Sequence, residues 1–482
     1  MDERLLKEGH NCWKISNAEK LALLYDGANY FDALFNTLPK AKSSIQIFGW
    51  EVDARLGLHT INPDYPKNLR IYLLGVASSK NVSISVSSWK PALYLKFDRE
   101  LFAPFKWWKK SNSKVHYRQV RTPTTFSSYH EKVCIIDKQL CFLGGIDITK
   151  RRWDTQLHRV EDAKRIDGKG VKYNPVHDVQ LAISGKVVKQ VSEALADRFH
   201  PRDKNLNEEH STNWPSEHPP QLRDVNVAIS RTDPTRNVFE IEKFYLDAIR
   251  SSKKYIFIEN QYLSHAEVIR SLCEKLNEVN GPEIVIIVPR SYPGFFERAI
   301  FSNERRKAIK RLKASDKYDR LLILYPKTET NKLDKFIVVH SKLMAVDGKL
   351  FTVGSANLNH RSLKVDNEMN ICLEAATPEE ETFINDAPIT LLAEHLDISK
   401  EVFTSSWRLN NSLKASILEH SHKKDKTLAA VPLYEVPLKE KVFLWLLPFV
   451  DIKFRWPKSY FNLTLLLGLT TLLFAAKALY ER

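Results

Sequence analysis

The chain has 482 residues, room for two to four domains, so one small binding module cannot account for it. Hydrophobic residues at 43%, with 11% aromatics, can build real cores, which excludes a mostly disordered, collagen-like or disulfide-stapled protein. The formal net charge of +15 is concentrated: Phe102 to Lys172 carries 16 Lys or Arg against 7 Asp or Glu, a field that favours a phosphate-bearing partner, either nucleic acid or anionic membrane.

Met1 to Trp13 is charged and lacks an apolar segment, so it does not read as a secretory signal. The five cysteines (Cys12, Cys134, Cys141, Cys273, Cys372) form no CxxC pair, so neither a zinc site nor a disulfide framework is expected and a reducing compartment is the default.

Along the chain, strand-like runs recur at a fixed offset. Ser44 to Glu51 (SIQIFGWE) aligns with Lys254 to Gln261 (KYIFIENQ), and Tyr129 to Asp137 (YHEKVCIID) with Val339 to Asp347 (VHSKLMAVD), both 210 residues apart. Val82 to Ser87 and Ile284 to Val288 correspond at a slightly smaller offset, as do Val115 to Val120 and Leu321 to Tyr325. Helical stretches such as Ile241 to Arg250 precede the strands, predicting an α/β fold of two copies of a mixed-sheet α/β unit. The first copy spans 1–200 and the second 224–418, joined by a polar linker over 201–223.

Leu101 to Lys110 (LFAPFKWWKK) mixes aromatic bulk with lysines, as at a headgroup boundary, whereas the basic helical face of Glu304 to Arg311 reads as solvated. A polar tether over 419–441 leads into a hydrophobic tail, 442–482. There, 18 uncharged residues, Ser459 to Ala476, would span about 27 Å as a C-terminal hydrophobic helix, enough for a thin bilayer. Lys453, Arg455 and Lys458 before this span outnumber Lys477 and Arg482 after it, which places the catalytic body on the cytoplasmic side.

The chemistry lies in the repeated strand. The first copy reads His130-Glu131-Lys132, then Asp137, Gly144, Gly145 and Asp147; the second reads His340-Ser341-Lys342, then Asp347, Gly354, Ser355 and Asn357 at the same spacing. Period two along a strand sets each histidine beside its lysine on one face, a pairing that packing does not require twice. Two ammonium groups can hold the non-bridging oxygens of a phosphodiester while one neutral imidazole attacks phosphorus and the other protonates the leaving oxygen. Water or another alcohol can then be the acceptor, with neither metal nor other cofactor required. Gly145 and Ser355 would let backbone approach the phosphate, and Asn357 could donate an amide hydrogen to it; Asp147 cannot donate when ionised, so the copies are not equivalent. Asp137 and Asp347 fall on the opposite parity, each ahead of a turn, and read as mainly structural.

The paired HxKxxxxD motifs, with Gly144-Gly145-Ile146-Asp147 and Gly354-Ser355-Ala356-Asn357-Leu358, resemble those of the phospholipase D superfamily. Ile258-Glu259-Asn260-Gln261-Tyr262, Arg152-Trp153-Asp154 and Val176-His177-Asp178-Val179 resemble its two-motif branch that hydrolyses and transfers phosphatidyl groups. The resemblance covers roughly Ser44 to Glu374, and implies that the two pseudo-symmetric copies pack around one active site. It implies a catalytic set of His130, Lys132, Asp137, His340, Lys342 and Asp347, with His130 as nucleophile forming a phosphohistidine and His340 as acid. It also implies Asp178 and Glu368 as the acids that orient the imidazoles. The expected partner is a phospholipid in its membrane, a monomer suffices for the site, and a nucleic-acid substrate gains nothing from the tail. The alternatives are a cardiolipin synthase-like transferase, a nucleic-acid phosphodiesterase and a catalytically silent membrane scaffold.

Overall fold

The computed structural model describes residues 4–58, 61–90, 114–124, 127–168, 170–198, 214–293, 295–328, 335–422 and 426–433. The Leu101 to Lys110 run, the linker up to residue 213 and the tail lie outside these residues.

The first half contains β1 (Lys14–Tyr25), α1 (Asp26–Thr37), β2 (Ser44–Gly49), α2 (Leu69–Lys80), β3 (Ser83–Trp89), β4 (Val115–Val120), β5 (Val133–Ile136), β6 (Leu140–Gly144), β7 (Val176–His177), β8 (Val179–Ser184) and α3 (Lys186–Ala194). The second contains β9 (Leu222–Asp233), β10 (Val238–Phe239), α4 (Glu240–Ser251), β11 (Tyr255–Asn260), α5 (Ala266–Asn277), β12 (Glu283–Ile287), α6 (Phe295–Ser315), β13 (Leu321–Lys327), β14 (Val338–Val339), β15 (Lys342–Val346), β16 (Leu350–Gly354) and β17 (Glu368–Glu374). Then come α7 (Pro378–Leu396), α8 (Lys400–Asn410), α9 (Leu413–His420) and β18 (Thr427–Ala430).

The long strands β1 and β9 pair antiparallel, Lys14 opposite Ile229 through Leu21 opposite Leu222, and form the centre of one continuous sheet. Outward from β1 run β8, β6, β5, β2, β3 and β4; outward from β9 run β17, β16, β15, β11, β12 and β13, with β18 at the edge. The order from the centre is thus the same on both sides. The outer strands β2, β3 and β4 are parallel, as are β11, β12 and β13, and helices α2, α5 and α6 lie along their crossovers. In the second half β11, β12 and β13 are apolar runs, whereas β2 and β3 alternate serine or glutamine with Ile and Val; β2 and β11 are buried along their whole length.

Two expected boundaries move. Strand β9 begins at Leu222, inside the predicted linker, because Leu222 and Arg223 extend the ladder with β1. Strand β18 falls inside the predicted polar tether: its Leu428 is buried, and the strand closes the edge of β13 with Leu324 opposite Ala430. An apolar Thr-Leu-Ala-Ala segment was enough to add a strand to an otherwise open edge. All five cysteines are free and buried. Among the described residues no helix is long and apolar enough to cross a membrane.

Candidate active site

The hairpins β5–β6 and β15–β16 carry the two motifs. Each turns through two residues at positive φ, Asp137 (52°) and Lys138 (55°) in one, Asp347 (56°) and Gly348 (69°) in the other, the backbone of a two-residue turn matched to strand twist. The Asp137 carboxylate accepts from the amides of Lys42, Ser43 and Ser44 at 2.8–2.9 Å. Asp347 accepts likewise from Lys253, Lys254 and Tyr255 at 2.6–2.8 Å. These aspartates fix the start of β2 and β11 at the far end of the hairpin from the histidines. These contacts agree with the reading of both aspartates as mainly structural.

At the near end the two halves cross. Val338 and Val339 of β14 pair with Val176 and His177 of β7, and Tyr129 bridges Asn367 at the equivalent place. The His340 amide donates to the His177 carbonyl at 2.7 Å and the His130 amide to the Asn367 carbonyl at 2.9 Å. The next residue in each strand is an acid. Asp178 of the first half thereby meets His340 Nδ1 at 2.7 Å through Oδ2, while Glu368 of the second half meets His130 Nδ1 at 3.0 Å through either oxygen. Each imidazole is oriented by the opposite half of the chain.

Lys132 is buried and donates to the His130 carbonyl at 2.6 Å, with Asp147 Oδ2 at 3.4 Å. Lys342 is also buried; it donates to the His340 carbonyl and to Gln261 Oε1 at 3.4 Å, and its Nζ lies 3.2 Å from His340 Nδ1. Burial, with the charges of Lys132 and Lys342, holds His130 well below the usual imidazole range. Burial followed by Lys342, Arg152 and Lys132 does the same to His340. Burial pushes Glu368 up to about 7 and Lys342 down to about 7, and it raises Asp178 above the usual carboxylate range. Both imidazoles are therefore neutral at neutral pH, with Nδ1 bonded to a carboxyl group and Nε2 free to act.

The remaining predicted residues take other places. Asp147 faces Lys132 and accepts from the Glu51 amide at 3.2 Å, so it positions the lysine. Asn357 is buried with its Oδ1 lacking a hydrogen-bond partner. Gly145 and Ser355, expected to admit a phosphate, instead pack against the orienting acids. A Cβ on Gly145 would meet Asp178, and the Ser355 hydroxyl donates to Glu368 at 2.5 Å.

Sequence reasoning assigned no role to Gln261, Arg152 or Trp50, whose ring lies edge-on to His130 at 6.3 Å. Gln261 stands opposite Glu51 at the same offset of 210, and that exchange of an acid for an amide was its available signal.

Residues 245–384 match the family described as cardiolipin synthase, PLD-like domain. The chain is 24% identical over 417 residues to phospholipase D A of Dictyostelium discoideum, covering 71% of this chain and 32% of that protein. It is 32% identical over 160 residues to phospholipase D zeta 1 of Arabidopsis thaliana, covering 31% and 14%. It is 21% identical over 369 residues to the cardiolipin synthase of Listeria innocua, covering 74% and 66%. The crystal structure of phosphatidylserine synthase from Haemophilus influenzae superposes with a TM-score of 0.56 at 14% identity, covering 84% of this chain and 96% of that one. The chain spans about a third or less of the length of the phospholipase D relatives named here.

Proposed function

We propose, for a chain whose PLD-like domain is homologous to phospholipase D and cardiolipin synthase, that it cleaves the headgroup phosphodiester of phospholipids and passes the phosphatidyl group to water or an alcohol. The observation that carries this reading is the crossed pairing of His130 with Glu368 and His340 with Asp178, two oriented neutral imidazoles flanked by Lys132 and Lys342. The mirrored strand order supports the companion reading of two copies of one unit sharing a single site.

In the proposed reaction the phosphate anion lies between the two ammonium groups, which stabilise its transition-state charge. Nε2 of His130 attacks phosphorus, the bond to the headgroup oxygen breaks, and that oxygen takes a proton from His340. Glu368 stabilises the positive charge that grows on His130. Because Lys132 and Lys342 depress both imidazoles, a bound anion that offsets their charge raises His340 towards the range where it can act as an acid. An incoming water or alcohol then returns its proton to His340 and displaces His130 from phosphorus.

Transfer to a lipid alcohol, as in a cardiolipin synthase, is the second reading, favoured by the match over residues 245–384. Incubating the purified protein with mixed phospholipid vesicles and a primary alcohol, then identifying products by mass, tests both. Phosphatidic acid or a phosphatidylalcohol supports the first reading, and a product joining two lipids supports the second. Absence of headgroup release from every phospholipid, with turnover of oligonucleotides or of nothing, would reject them.

A further inference from the structure

Behind the second motif lies a cluster of charged side chains that the reaction does not use. Asp26 opens α1, His158 sits in the loop after β6, His177 ends β7, and Glu394 lies in the last turn of α7. All four side chains are 0–4% exposed. Side chains from both ends of the chain thus meet in one dry place.

The outer nitrogen of each ring faces a carboxylate. His158 Nδ1 faces Asp154 Oδ2 at 2.9 Å, and His177 Nε2 faces Glu259 Oε1 at 2.6 Å. With a cation at the centre, a ring so held would keep its proton on the outside and turn a lone pair inward. The inward nitrogens, His158 Nε2 and His177 Nδ1, are 3.3 Å apart. Glu394 Oε1 lies 3.0 and 2.9 Å from them. Asp26 completes the group, with Oδ1 3.0 Å from His177 Nδ1 and Oδ2 3.6 Å from His158 Nε2. Asp26 Oδ2 and Glu394 Oε2 are buried without a hydrogen-bond partner.

Four buried groups that can each offer a ligand atom thus lie within 4.8 Å of one another, and their carboxylates need either a bound cation or protonated rings to balance them. These separations, 2.9–3.6 Å, bracket the roughly 3.3–3.4 Å that tetrahedral ligands at about 2.0–2.1 Å from zinc keep from one another. Two imidazoles and two carboxylates suit zinc or a similar transition metal rather than calcium or magnesium, which take oxygen ligands in larger number.

We propose that Asp26, His158, His177 and Glu394 form a buried four-ligand site for one zinc-class divalent cation. The cation does no chemistry on phosphorus; it clamps α7 to the first half of the chain behind the catalytic groups. Its reach to them is short. His177 precedes Asp178, and its carbonyl receives the His340 amide; Glu259, which faces His177, accepts from the Ser341 hydroxyl at 2.6 Å. The site therefore braces His340 from two directions.

The test is metal content, independent of turnover. The full chain, produced in zinc-supplemented medium and purified without chelator, is expected to hold about one zinc per chain; protein made with cobalt in place of zinc is expected to show the absorption of tetrahedral Co2+. His158→Gln and Glu394→Gln should each lower occupancy about tenfold or more and lower the melting temperature. If the variants do not fold, the wild-type stoichiometry and the cobalt spectrum decide alone. Less than about 0.1 metal per wild-type chain with no tetrahedral cobalt spectrum, or full occupancy in folded variants, would overturn the proposal. In the first case the cluster neutralises itself as two imidazolium rings against its carboxylates.

Discussion

Gly145 stands so close to Asp178 that a Cβ placed on it would lie 2.1 Å from Oδ1 and 2.7 Å from Cγ. The residue equivalent to Gly145 in the second half is Ser355, whose hydroxyl is hydrogen-bonded to Glu368. One half makes room for its acid by omitting a side chain, and the other holds its acid with one. Gly145→Ala must push Asp178 away from His340, and misplacement of a positioning group by about an ångström costs on the order of 100-fold in rate. We expect that loss in kcat with the melting temperature little changed. Near wild-type turnover in Gly145→Ala would show that Asp178 does not set the geometry of His340.

The histidines should fail differently. His130→Ala should form no phosphoenzyme with any substrate, whereas His340→Ala should still form one when the leaving group needs no proton. Trapping and peptide mapping of the phosphorylated residue reads this directly. A phosphoenzyme at His340 in the His130→Ala protein would reverse the two roles.

Activity should peak near neutrality. Glu368, pushed up to about 7, must be ionised to stabilise the charge growing on His130, so kcat/KM rises as pH climbs through that value. Lys342, pushed down to about 7, must be protonated to hold the phosphate, so kcat/KM falls as pH climbs further. The two limbs overlap in a narrow bell. Glu368→Gln should flatten the acid limb and Lys342→Arg, which stays charged, the alkaline one. A wild-type profile that is level from about pH 5 to about pH 9 would remove both groups from the rate-determining chemistry.

The motif aspartates should matter for folding rather than turnover. Asp347→Ala removes the acceptor of three amides at the start of β11, two of them open to solvent, and costs roughly 1–2 kcal/mol in total. Denaturant unfolding should show that loss, with kcat per folded molecule within about threefold of wild type. A large drop in kcat at unchanged stability would return Asp347 to the catalytic set.

These outcomes separate what the chain discloses from what it conceals. Period two alone placed each histidine beside its lysine and each aspartate off that face, and the recurring offset pointed to the shared strand order. The crossed acids have no such local signature, because His130 and Glu368 are 238 residues apart and meet only where Tyr129 bridges Asn367. A resemblance could suggest Asp178 and Glu368, but spacing could not say which histidine each serves. The buried cluster was hidden for a related reason. A search for metal ligands by cysteine spacing passes over Asp26, His158, His177 and Glu394, whose nearness depends on α7 folding back over the first half.

How the site reaches its substrate rests on the C-terminal sequence. Ser459 to Ala476 lacks charge and is bounded by Lys458 and Lys477, and we propose that it anchors the catalytic body to a membrane with that body on the cytoplasmic side. Anchoring raises the local concentration of phospholipid without altering the chemistry. The last strand, β18, ends at Ala430, so deleting residues 442–482 leaves every described element in place. The shortened protein should leave the membrane fraction and lose activity on bilayers, while keeping its turnover of a short-chain soluble phosphodiester. Retention on membranes would assign the contact to another surface, such as the basic helix α6. Loss of both activities together would instead show that the segment supports the fold, and the anchor would be rejected.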